Sequence, residues 1–412
     1  MAIIIDGDGT VSGISVGGLP DGIVDAGTLA TNSVDSAELI DGAVDDSHMA
    51  AMAASKLTGT LPAISGANLT GISGRRNMVI NGDMSIAQRG TSSTSTGVKT
   101  VDRWNMGANV GVTQSQVALT SGAAFDSGFR SAYKLTNTGA IDNTATQYVS
   151  CFYYPEAQDM AKSGWNYKSA SSYITISFWI KSSVAGTYNV NPMTQDGTQK
   201  IYPQTFSLSA NTWTKVEKSF AGHADLTFNN DNGRGMQLHI SPFYGTNFTD
   251  SGVSTSAWSN YGSATRFPDY AQNWGASTGA TWEITGVQLE LGSVATDFEH
   301  RSYGEELALC QRYYQYYNGN YQLGVGRTIS SNRVDLTYQF PVQMRDDPTL
   351  EAADLSTMYV EGVTAFNPSN PTVAAVHISR DGLIIRRTCS ESITANKISA
   401  AQVNYLRFSS EL

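Results

Sequence analysis

The chain has 412 residues, long enough for two or three domains, with 41% apolar and 15% charged residues and a formal net charge of −10. That balance provides no basic face to neutralise phosphates, which argues against a nucleic-acid partner and against an anionic membrane surface. No window approaches the ~18 apolar residues of a spanning helix, and Ile3–Ile5 is too short a run for a secretion signal, with Asp6 and Asp8 following at once.

Residues 1–74 contain no Phe, Tyr or Trp; their charged side chains are nine acids and the single base Lys56. A ten-residue repeat runs through them: Val24-Asp25, Val34-Asp35 and Val44-Asp45 recur in step with Leu29, Leu39 and Met49. Two strong apolar positions per repeat cannot build a core within one chain. Three chains in register would bury Val24, Leu29, Val34, Leu39, Val44 and Met49 against one another, with Gly, Ala and Ser allowing close approach. The segment is therefore expected to be a trimeric attachment shaft; the competing reading is a disordered Gly/Ser/Asp linker.

Residues 75–301 read as all-β. From Tyr173 to Lys181 the chain alternates, placing Ile174, Ile176, Phe178 and Ile180 on one face and Tyr173, Thr175, Ser177, Trp179 and Lys181 on the other, as in a half-buried strand. Trp213–Phe220 and Met236–Ile240 are further strands. Trp282–Leu291 changes phase near Gly286, the signature of a β-bulge. Many strands with no helical period between them predict a two-sheet sandwich, with a long polar stretch over 244–281.

Residues 302–412 open with the one convincing helix. Ser302 is its cap, and Glu305 and Glu306 lie in its first turn, where acids favour the dipole. The helix runs into the tyrosine-rich Tyr313–Tyr317, expected to pack between domains or subunits. Strands follow at Arg333–Phe340, Val373–Ser379, Gly382–Arg386 and Val403–Phe408. The predicted fold is mainly β: a fibrous N-terminal segment, a central sandwich, and a smaller β tip domain preceded by a short helix.

Several stretches resemble bacteriophage tail-fibre and tail-spike proteins. Asn77–Gly90 (NMVINGDMSIAQRG) with Asp102-Arg103-Trp104 is similar to the opening of a domain common in such proteins. Ile284–Gly292 (ITGVQLELG), Thr296–Arg301 (TDFEHR) and Glu305–Tyr314 (EELALCQRYY) are similar to its end, and Phe340–Arg345 with Pro348-Thr349 to a C-terminal module. The resemblance implies a carbohydrate-binding-module-like jelly roll in a homotrimeric virion protein. It also implies that the N-terminal segment attaches to tail or baseplate proteins and that the displayed domains bind host-surface polysaccharide. The alternatives are a purely structural tail component and a capsule depolymerase.

Catalytic patterns are weak, and no enzymatic role is expected. Gly13–Gly17 matches G-x-S-x-G but lacks the strand–turn–helix context that gives that motif meaning. The five His show no metal spacing, and Asn229–Gly233 reads as a hairpin turn before a calcium site, so neither cofactor nor metal is expected. Cys151, Cys310 and Cys389 are far apart and odd in number, consistent with reduced thiols in a protein made in a host cytoplasm and carried on a virion. Sugar recognition needs aromatic faces beside amides, hydroxyls and carboxylates. The irregular stretch 244–274 offers Tyr244, Trp258, Tyr261, Tyr270 and Trp274, and Trp179 stands on the polar face of its strand; these six are the candidate glycan contacts.

Overall fold

The computed structural model describes residues 4–5, 11–12, 76–139, 145–360, 363–366, 372–388, 392–393, 395 and 397–412. At the N-terminus, Ile4–Ile5 pairs antiparallel with Val11–Ser12. The shaft positions Val24, Leu29, Val34, Leu39, Val44 and Met49, and the Gly13–Gly17 motif, lie outside the described residues. The described chain from Arg76 onward belongs to one compact unit.

Alternating side chains build the first sheet of a β-sandwich. Its six strands lie in the order Thr214–Ala221, Tyr173–Ser182, Thr281–Leu291, Ser131–Asn137, Val112–Ala118 and Ser92–Ser93, each antiparallel to its neighbour. Ile174, Ile176, Phe178 and Ile180 all face the core, as the alternation predicts. The second sheet runs Phe243–Tyr244, Tyr148–Tyr153, Met236–Ile240, Gly186–Thr194, Lys200–Ile201 and Ser259–Asn260. Trp104–Ala108 also pairs with Tyr148–Tyr153, and Gln204–Leu208 with Gly186–Thr194. Between the sheets lies one large aromatic and aliphatic core. Trp282 ties the two together: its ring lies 4.7 Å from that of Tyr188, and its indole N–H donates to the Ile240 carbonyl at 3.1 Å. Each such large side chain contributes roughly 1.5–3 kcal/mol by leaving water.

All five residues of Met236–Ile240 are buried, so both faces of that strand are covered. The inner face meets the core. The outer face lies under the long loop after Tyr244, which lays Phe267 against Tyr244 (4.2 Å, stacked) and against His239 (5.2 Å, edge-on). Burial drives the His239 imidazole down to about 3, with Arg266 adding to the effect, so this ring is neutral and packs as an aromatic.

The phase change near Gly286 is a bulge. Pairing between Thr281–Leu291 and Tyr173–Ser182 shifts register between Thr285 and Gln288. Gly286 has a φ of +62°, and a Cβ there would lie 2.5 Å from the Phe129 ring, so this position takes only glycine without strain.

Helix Tyr303–Gln311 carries a complete capping box: Ser302 accepts from the Glu305 N–H, and the Glu305 carboxylate accepts from the Ser302 N–H. The chain turns at Arg312, and Tyr314 already begins a strand, Tyr314–Ser330, in which tyrosine, asparagine and glycine obscure the alternation. The C-terminal sheet, called the tip below, has seven antiparallel strands in the order Val363–Phe366, Thr349–Val360, Ile398–Ser409, Tyr314–Ser330, Arg333–Gln339, Gly382–Thr388 and Thr372–Val376. Its small core centres on Val334, Leu336, Ile385, Leu406 and Phe408. Cys151 and Cys310 are buried free thiols; Cys389 lies outside the described residues.

Candidate binding cleft on the outer face of the sandwich

The stretches that carry the phage-fibre resemblance are structural. Asn77 accepts from the Leu289 N–H and donates to the Val287 carbonyl, stitching the start of the domain onto its last strand. Gly82 presses so closely on that strand that a Cβ would stand 2.1 Å from the Val287 carbonyl oxygen. Asn81, at φ +58°, bridges Ile86 and Asp102 through its side chain, and its own N–H donates to Glu306 at the helix. At the other end Gln288 and Glu290 reach outward from the sheet. Glu290 accepts from the Thr296 N–H at 2.8 Å, and Gln288 accepts from the Glu299 N–H at 2.8 Å. Residues 292–301 are thereby strapped across the outer face of the first sheet. The Gly292 carbonyl accepts from Thr175, and that of Ser293 from Ser219.

Strand register fixes what the strap leaves open. Trp179 lies opposite Lys215 on one side and Thr285 on the other; the next outward row is Lys181 opposite Glu283. Glu283 is bracketed by Lys181 at 2.9 Å and Lys134 at 3.6 Å, and Lys181 also sits 4.9 Å from the centre of the Trp213 ring. Between these rows and the strap is a cleft of about 310 Å³. Phe129, wedged over the bulge at Gly286, and Phe298 from the strap form its apolar wall, with rings 5.0 Å apart and edge-on. His300 packs on both, at 5.5 and 5.0 Å. Trp179, half-buried, faces this wall, with Lys215, Ser177 and Asp297 also lining the cleft. Aromatic faces beside an ammonium, a hydroxyl and a carboxylate are the chemistry that recognises a sugar ring.

Of the six candidate glycan contacts, Trp179 alone lies in this cleft. Trp274 is fully buried, with its indole N–H donating to the Thr281 carbonyl at 3.1 Å. Tyr244 is buried beneath the loop, stacked between Tyr148 and Phe267. Both are packing residues, because a long loop needs apolar anchors of its own to be held down. Tyr270 is part of the same cluster, 6.5 Å from Tyr244. Tyr261 accepts a hydrogen bond from Arg266. Trp258 is half-buried elsewhere, its N–H donating to Ala221 at 2.7 Å and its ring edge-on to Tyr202. The six therefore do not converge on one place. Phe129, Phe298, His300 and Lys215 were not among the sequence candidates. The signal for Phe298 and His300 was their position in the Thr296–Arg301 stretch.

Asn229–Gly233 forms a turn: Asn229 donates to Asp196, Gly233 N–H to Asp231, and Asn232 to the Arg345 carbonyl at 2.7 Å. Among the described residues no three His, Cys, Asp or Glu side chains are grouped to hold a metal ion, and no helix is long and apolar enough to cross a membrane.

Neither a protein family nor a curated protein matches the sequence. Among solved structures, the chain is similar to the enzymatically active domain of tailspike protein 4 of bacteriophage CBA120 (11% identity, 52% of this chain and 21% of that one, TM-score 0.30). It is also similar to the N-terminal cellulose-binding domain of β-1,4-glucanase C from Cellulomonas fimi (9%, 51% and 99%, 0.25) and to the baseplate tripod of bacteriophage Tuc2009 (12%, 82% and 90%, 0.23). The chain thus spans about a fifth of the tailspike domain. At these TM-scores the likenesses carry no argument about function.

Proposed function

We propose that the chain is a phage tail-fibre subunit that binds host-surface glycans, and that it does so without turning them over. The observation that carries this reading is the cleft at Trp179. There a half-buried indole faces the Phe129–Phe298 wall, with Lys215, Ser177 and Asp297 also lining the opening. The phage-fibre resemblance of the flanking stretches supplies the context. In this reading residues 1–74 dock on tail or baseplate proteins and align three chains, and the sandwich and tip are displayed on the virion. Each site is weak, and three on one fibre gain ~10²–10⁴-fold by avidity when geometry lets them engage together.

Fluorescently labelled full-length protein applied to bacterial cells tests this. Binding should be lost on cells whose glycans are cleaved with periodate, and lost for Trp179→Ala on untreated cells. Binding that survives periodate, or that Trp179→Ala leaves unchanged, contradicts the reading. In that case a structural role inside the tail becomes the better account.

A further inference from the structure

A second cleft, of about 480 Å³, opens where the sandwich, the helix and the tip meet. It shares no lining residue with the cleft at Trp179, and its lining is cationic in a chain whose net charge is −10. Lys162 projects from the end of the short helix Ala157–Ala161, Arg312 from the turn after Tyr303–Gln311, and Arg380 from the tip loop before Gly382–Thr388. Arg312 is committed. Its Nε and Nη2 donate to the two oxygens of Glu156, both at 2.8 Å. Lys162 and Arg380 have no carboxylate partner within 4.0 Å among the described residues, and Lys162 is exposed.

Arg380 is nevertheless held in place. Its Nη2 donates to the side-chain amide oxygen Oε1 of Gln343 at 3.1 Å, and that amide is itself oriented by donating to Asp381 at 2.8 Å. Its Nε is buried and has no acceptor. A guanidinium held in place by Gln343 and an unpaired ammonium lining one cleft form a site for an anion. The neighbouring amide of Gln158 donates to Glu156, which turns that side chain's own oxygen free to accept from a hydroxyl. One acid, Asp159, also lines the cleft, and it is engaged in its own interaction.

We propose that this cleft binds an anionic sugar unit, one carrying a carboxylate or a phosphate, with Lys162 and Arg380 taking the anion and Gln158 taking a hydroxyl. The proposal rests on the glycan-binding reading and names the class of glycan: an acidic surface polysaccharide. It also makes the sandwich–tip seam a ligand site, since its groups come from both.

The test titrates full-length protein with glucuronate, glucose 1-phosphate and glucose, followed by NMR or calorimetry. At least one acidic probe should bind ten-fold or more tightly than glucose, and weaken as salt rises. The double variant Lys162→Gln, Arg380→Gln should lose that binding at least ten-fold. Should the Arg380 substitution lower the unfolding temperature, Lys162→Gln alone, on an exposed side chain, serves for the comparison. Glucuronate and glucose 1-phosphate separate a carboxylate from a phosphate as the recognised group. Equal affinity for glucose, or unaltered acidic-probe binding in the variants, overturns the proposal. That failure with Trp179-dependent cell binding intact removes this subsite alone; loss of Trp179-dependent binding removes the glycan reading itself.

Discussion

The guanidinium carbon of Arg103 stands 3.4 Å from the centre of the Tyr313 ring. Its neighbour in space, Arg89, stands 3.5 Å from that of Tyr314. Both arginines belong to the sandwich and both tyrosines to the entry of the tip. Glu411, from the last residues of the chain, closes the junction, 2.8 Å from Arg103 and 3.2 Å from Arg89. A second clamp lies beside it, where Glu156 receives Arg312 and the Tyr313 hydroxyl. The tyrosine-rich run is thus a joint between two β layers, built from stacked and paired charges kept from water.

Removing Arg103 leaves buried partners unpaired. Arg103 also donates to the Tyr154 carbonyl, so Arg103→Ala abandons that oxygen and weakens the hold on Glu411. Denaturant unfolding should show a loss of about 3 kcal/mol, the scale for breaking a buried pair. Arg103→Lys should recover little of it, because an ammonium cannot stack and fork as a guanidinium does.

The junction should also respond to pH. Burial raises the Asp102 carboxyl from 3.8 to about 6, against the opposing pull of Arg89 and Gln88. Its folded value exceeds its unfolded one, so its contribution to stability is fully present below pH 4 and is lost as pH rises through 6. Burial raises Glu306 in the same sense. Between pH 7 and pH 5 Asp102 should contribute about 1 kcal/mol, opposed by His239, which is neutral in the fold and gains a proton only on unfolding, so the contribution is read as the difference in stability between wild type and Asp102→Asn, which should move in favour of the wild type as pH falls. A difference between the two proteins that does not change with pH would place the titration elsewhere.

Gly286→Ala should couple stability to binding. The new methyl meets the Phe129 ring at 2.5 Å on a backbone at φ +62°. Strain and overpacking should cost about 1–3 kcal/mol and displace one wall of the Trp179 cleft. Glycan binding should fall with it, read at a temperature where the variant remains folded.

Trp274→Ala and Trp179→Ala should separate packing from recognition. Trp274 is fully buried, so its truncation should cost about 3–5 kcal/mol. Trp179 is half-buried at a cleft mouth, so its truncation should change the unfolding temperature far less while removing ligand affinity.

Much of the fold was legible because it rests on local rules. Ile174 to Ile180 alternate because one face is buried, Gly286 marks a bulge, and Ser302 with Glu305 announces a helix start. Strand Tyr314–Ser330 was hidden because its glycines and asparagines carry no period, and its partner Ile398–Ser409 is far along the chain. The site was less legible. Tyr244 and Trp274 lie in a stretch whose sequence shows no alternation, which suggested exposure, yet Tyr244 is a strand residue covered by the loop and Trp274 is buried. Phe129, Phe298 and Lys215 meet at Trp179 through a bulge and a strap, which are tertiary events with no local pattern.

The central claim is most directly tested by retention of the labelled full-length protein on immobilised bacterial surface polysaccharides, wild type beside Trp179→Ala. The account predicts that at least one polysaccharide retains the wild type and releases the variant, with both proteins unfolding at closely similar temperatures. Equal retention of the two, or retention of neither by any polysaccharide, would contradict it.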